Sequence, residues 1–183
     1  MPLEEATKRV ASGEVDAINE IEGHFAIMAR HNHIIRMART LQLPLRYFIV
    51  KKVAGPALLV AERIDQIKEW LEEHGFEDQF HPSYTRMVPA HHLTEIALVG
   101  CPDPNPVCTR FFNPKRNCQP NNLETIGNSY ITALENSISK WIHQIPKDES
   151  IGVLFSGGID SGAVFLTTYH VMRNCGMNLA RLK

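Results

Sequence analysis

The hexapeptide Ser156-Gly157-Gly158-Ile159-Asp160-Ser161 constrains this chain more than any other segment. It follows the apolar run 151–155, which predicts a strand, and leads into a helical pattern from about 160 to 173, with Gly176 as its stop. A strand, a glycine loop and a helix start together make an anion site. The first turn of a helix has backbone N–H groups with no intrahelical acceptor, and the helix dipole favours negative charge there. Gly157 and Gly158 lack a Cβ, so the backbone turns sharply and can approach a phosphate. Ser156 and Ser161 add hydroxyl donors. Asp160 would repel phosphate unless a cation lies between them, so it is expected to be a Mg²⁺ ligand. A Walker loop is excluded because its lysine is missing, and no lysine occurs between Lys147 and Lys183. The dinucleotide pattern G-x-G-x-x-G is also absent. The competing reading is a plain glycine-rich turn that happens to carry serine and aspartate.

The rest of the composition narrows the class. The 183 residues carry a formal charge of −1 and are 44% hydrophobic. That is enough chain for one domain or two small ones. Near-neutral charge gives no footprint for nucleic acid or a membrane surface. No apolar run reaches the ~18 residues of a membrane span. The acidic start Met1-Pro2-Leu3-Glu4-Glu5 lacks a signal-peptide core, so a cytoplasmic location is expected. Cys101, Cys108, Cys118 and Cys175 do not have the spacing of structural zinc pairs and are expected to be reduced; zinc, with His91 and His92, is the minor alternative. The nine histidines are scattered and are expected on the surface or in hydrogen bonds. Arg30, Arg36, Arg39, Arg46, Lys51 and Lys52 have little aromatic interleaving and are expected on a solvated face.

Periodicity organises the chain. Apolar positions in residues 4–20, broken by Gly13, predict one or two short helices. Runs 24–29 and 33–37 predict a hairpin about His31-Asn32, and runs 45–52 and 57–61 a strand pair about Gly55-Pro56. Residues 62–74 predict an amphipathic helix stopped by Gly75. Two further strands are expected in 84–100 around Pro89-Ala90. Residues 1–100 are thus expected to be mostly antiparallel β. Five prolines make 101–120 the expected irregular linker. A helix should then begin near Asn121, with Glu124 completing a capping box, and close at Pro146. A second strand is expected in 177–182.

Several of these segments resemble the asparagine synthetase family. SGGIDS resembles the PP-loop of ATP pyrophosphatases, and the run GVLFSGGIDS resembles that family's "GVLLSGGLDS". Gly23 to Ile27 resembles the "G-x-F-A" strand of class II glutamine amidotransferases, and residues 39–48 resemble its "RD-x-x-G-x-x-P-L-Y-Y" hairpin. Residues 58–71 are similar to "FASE-x-K-A-L", and Arg110 to Pro114 to "R-Y-W-D-P". The resemblance runs from about residue 20 to 183 and includes β-lactam synthetases. It implies a mixed α/β and α+β chain. A partial Ntn-amidotransferase-like β domain (1–100) and the linker (101–120) would precede the first βα unit of a Rossmann-like, adenine nucleotide α-hydrolase-like PP-loop domain (121–183).

The resemblance also implies chemistry. Ser156, Gly157, Gly158, Ile159, Asp160 and Ser161 would bind ATP and Mg²⁺, with Asp160 the metal ligand. Leu154 and Phe155 would touch the nucleotide or serve as strand core. The implied reaction adenylates a small, aspartate-like carboxylate, releases pyrophosphate and forms an amide. Rival readings are another PP-loop ligase and an inactive fragment or pseudo-synthetase that binds nucleotide or a partner. Departures from the family are expected to matter. Pro2 follows Met1, and no cysteine precedes Cys101, so the N-terminal cysteine nucleophile of the glutaminase has no counterpart. Thr40 stands for the "RD" aspartate, and Gly162 for a second serine. Only one βα unit precedes Lys183, so the chain is expected to be truncated, or its missing sheet to come from a partner polypeptide; a homodimer is the other partner expected.

Overall fold

The computed structural model describes residues 1–99 and 105–183, so Cys101, Pro102 and Pro104 of the expected linker lie outside the described residues. The fold is mixed α+β with antiparallel sheets and five α-helices among the described residues. It divides into two compact units, Met1–Pro114 and Lys115–Lys183.

The first unit begins with α1 (Leu3–Ser12) and α2 (Val15–Asn19). Glu4 and Glu5 occupy the first turn of α1 and Arg9 the last, an order that complements the helix dipole. Ala6 and Val10, one turn apart, form its buried face. Gly13 ends α1 at φ 80°, a left-handed conformation that favours glycine. Strands β1 (Ala26–His31) and β2 (Ile34–Arg39) form the expected hairpin, with Asn32 at φ 54° in its turn. Strands β3 (Arg46–Val50) and β4 (Ala57–Ala61) pair antiparallel, and α3 (Ile64–Glu73) follows. Near Pro89 the chain places β5 (Arg86–Met87) beside β3 and β6 (His92–Ala97) beside β2. The sheet orders are β4-β3-β5 and, with β7 (Val107–Arg110), β1-β2-β6-β7.

Strand alternation builds four layers. In β1, β2 and β6, Ile27, Ala29, Ala38 and Leu93 face α1 and α2, meeting Val10 and Ile18. Met37 and Ile96 point the other way, onto Tyr47, Leu58 and Val60 of the second sheet. The far face of that sheet carries Phe48, Val50 and Leu59, which α3 covers with Ile67 and Leu71. The order is helices, sheet, sheet, helix.

Strand β7 lies inside the stretch expected to be irregular. It pairs with β6 from His92↔Arg110 to Glu95↔Val107. All four of its residues are exposed, so no buried face produced an apolar pattern to read. Arg39 and Arg36 also depart from expectation. Arg39 is only 6% exposed. Arg36 pairs with Glu95 at 2.8 Å and donates to the Ala11 carbonyl, tying α1 to the sheet.

The second unit contains α4 (Leu123–Ile142), α5 (Ile159–Asn174) and a 3₁₀ turn at Leu179–Arg181. The cap of α4 is Asn122, one residue past the expected Asn121. Its side-chain oxygen accepts from the Thr125 N–H at 2.9 Å. Ile138 and Ile142 of α4 bury against Ile151, Val171 and Met172. The strand expected at 151–155 forms only in part. Ile151 bridges Leu182 in parallel. Three backbone hydrogen bonds of 2.8–3.0 Å join Ile151 and Val153 to Arg181 and Lys183. The second strand expected in 177–182 is instead the 3₁₀ turn, with Leu182 alone in the bridge. An apolar run becomes a strand only where neighbours complete its ladder, and here Leu154 is 96% and Phe155 64% exposed.

Candidate functional site

The glycine loop connects the short parallel pairing at Ile151 to α5. Gly157 lies at φ 82°, and no heavy atom comes within 4 Å of where its Cβ would be. Backbone conformation, not crowding, therefore demands glycine there. Gly158 is the N-cap of α5, and the Gly162 N–H donates to its carbonyl at 3.0 Å. The amides of Ile159, Asp160 and Ser161 precede the first i−4 acceptor of the helix and have no intrahelical partner.

The loop holds itself through serines. Ser161 Oγ donates to the Gly158 carbonyl at 3.0 Å. Its one hydrogen is thereby used, so in the 3.1 Å contact with Ser156 Oγ the Ser156 hydroxyl is the donor. Ser161 Oγ also accepts from the Ser156 N–H at 3.3 Å. Ser161, read from the sequence as a free donor, is thus a clasp across the loop. The open donors are the backbone amides.

Asp160 sits exposed in the first turn of α5. Among the described residues no group of three or more His, Cys, Asp or Glu side chains could hold a metal. A Mg²⁺ ion here would take one carboxylate from Asp160 and the rest of its oxygens from phosphate and water, a set that suits this ion. The side chains of Leu154 and Ile159 are exposed. Phe155 tilts against Phe165 with ring centroids 6.1 Å apart and passes near Gly162. The eight predicted residues are therefore contiguous, an exposed loop at 154–158 running into the first turn of α5, where Ser161 is half-buried and is bonded to Ser156 and Gly158.

In the first unit, Thr40, which stands where the resemblance would place an aspartate, is bonded to the backbone of Phe25. Its Oγ1 accepts from the Phe25 N–H at 3.0 Å and donates to the Phe25 carbonyl at 3.2 Å. Arg39 beside it is held by main-chain carbonyls, and burial, with Arg46 nearby, lowers its affinity for a proton. Both residues build the fold. Cys108, Cys118 and Cys175 are free and exposed. Among the described residues no helix is long and apolar enough to cross a membrane. No protein-family model matches the chain, and no curated protein sequence matches it significantly.

Proposed function

We propose that the chain carries the ATP-handling loop of an asparagine-synthetase-like ligase, which adenylates a small carboxylate and releases pyrophosphate before amide formation. The observation that carries this reading is the pairing of Gly157 at φ 82° with the unpartnered first-turn amides of α5 beside an exposed Asp160. The amides would hold the leaving pyrophosphate and stabilise charge that grows on it as the α–β bond breaks. Asp160 would hold Mg²⁺, which neutralises the phosphates when bound. The carboxylate substrate attacks the α-phosphate, and an amine then displaces AMP. The first unit supports the family reading through its order of helices, sheet, sheet, helix, with the Phe25 and Arg39 segments on adjacent strands.

The exposure of Leu154 and Phe155 favours a second reading, nucleotide binding without turnover, since a complete parallel sheet buries such residues on both faces. ATP–pyrophosphate exchange with aspartate separates the two. Exchange that needs Mg²⁺ and disappears in Asp160→Asn, with the far-UV circular dichroism unchanged, is the expected result. Saturable ATP binding without exchange would select the second reading. Absence of both would remove the loop's assignment.

A further inference from the structure

Among the described residues each of the two sheets has two outer strands, and four edges result: β1, β7, β4 and β5. An unpaired edge offers a row of N–H and C=O groups to another strand, so folded chains blunt their edges with charge, shortness or bulges. Three of these edges are blunted. Strand β1 carries Arg30 and His31, β7 ends in Arg110, and β5 has two residues, one of them Arg86. Strand β4 is Ala57-Leu58-Leu59-Val60-Ala61, without charge, proline or bulge, in five unbroken pairs with β3. An open groove of about 670 Å³ runs along it, lined on one side of the strand by Met28 and Val60 and on the other by Ile67 and Trp70. Met28 is 51% exposed there.

The groove specifies its occupant. Glu62 and Gln66 also line the groove, but Met28 borders one face of β4 and Ile67 and Trp70 the other, so an added strand with apolar side chains on both faces fits better than an alternating one. Strand β4 itself meets that description. We propose that β4 is a dimerisation edge at which a second copy of this chain pairs antiparallel with β4 about Leu59. In that register Leu59 lies opposite Leu59 of the second copy, and Ala57 opposite its Ala61. The flanks limit the pairing to these five residues, because Pro56 has no N–H to give and lies opposite Glu62 of the other copy. The two Glu62 carboxylates then fall at opposite ends of the ladder and do not repel. The result is a continuous six-stranded antiparallel sheet in place of two edges.

Sedimentation equilibrium of the full chain, with hydrogen exchange read peptide by peptide, tests this. The expected mass is twice the 20.7 kDa of one chain. Exchange at residues 57–61 should slow by about tenfold or more as concentration rises through the dimerisation range. Leu59→Lys places two ammonium groups opposite each other and should give a folded monomer. A monomer at all concentrations overturns the proposal. So does a dimer in which exchange at 57–61 is independent of concentration, or a folded Leu59→Lys chain that still dimerises. If Leu59→Lys fails to fold, the exchange result on the unaltered chain decides.

Discussion

The guanidinium of Arg39 bonds to several main-chain carbonyls at once. Its Nε donates to the Val88 carbonyl at 2.5 Å, and its Nη1 is shared among the carbonyls of Thr40, Leu41 and Leu43 at 3.1–3.3 Å. Nη2 reaches Met87 Sδ at 3.1 Å. One residue thus closes the loop after β2 and fixes the entry to β6. Arg39→Met fills similar volume but leaves the buried Val88 and Thr40 carbonyls without that donor, while those of Leu41 and Leu43 lie nearer water. The expected loss is about 3 kcal/mol, since each buried acceptor left unpaired costs about 1–3 kcal/mol and some will find water. A urea titration should show the midpoint fall with an unchanged slope. Arg39→Lys should recover less than half, because one ammonium cannot reproduce the planar fork. A loss under about 1 kcal/mol for Arg39→Met would remove the structural role argued for this residue.

Element boundaries depend on single glycines, but for different reasons. At Gly13, a Cβ would lie 2.7–2.8 Å from the Arg36 guanidinium, and φ is 80°. At Gly157, φ is 82° and the Cβ would meet nothing. A left-handed conformation costs a residue with a Cβ about 1–2 kcal/mol. Gly157→Ala should therefore destabilise the second unit by about 1–2 kcal/mol. Gly13→Ala must in addition push Arg36 off Glu95 and Ala11, so about 3 kcal/mol is expected in the first unit. Equal losses in the two urea titrations would show that the Arg36 contact is unimportant. The helices and the two hairpins were legible in the sequence because their signals are local. Gly13, Asn32, Gly55 and Gly75 each sit at a turn or helix end with positive φ. Strand β7 was illegible because none of its side chains is buried. Residues 151–155 misled because an apolar run records a demand for burial, not whether neighbours meet it. The glycine loop was legible as a loop, while the Ser161 clasp depends on a rotamer that no spacing encodes.

At the scale of the whole chain, the apolar clusters are unevenly distributed. Among the described residues the first unit has three, around Ile18 and Leu93, around Met37 and Tyr47, and around Phe48 and Leu71. The second has one, built on Ile138, Ile142, Ile151, Val171 and Met172. Leu123, Tyr130, Ile159 and Leu166 on its helices and Leu154 in the loop lie largely in water. Burial of apolar area at ~25 cal/mol per Å² is the main term opposing chain entropy, so the second unit has the smaller margin. The two tryptophans report the units separately. Trp70 stacks on His74 at 3.8 Å within the first unit, and Trp141 lies half-exposed on α4 in the second. In Trp70→Phe, fluorescence follows the second unit alone, and in Trp141→Phe it follows the first. Thermal unfolding of these variants should give two midpoints, with Trp141 reporting the lower. Saturating Mg²⁺ and ATP should raise only the Trp141 midpoint, because a ligand stabilises the unit that binds it. Coincident midpoints would mean that the units unfold as one. A nucleotide shift at Trp70 alone would move the binding site away from the loop that starts α5.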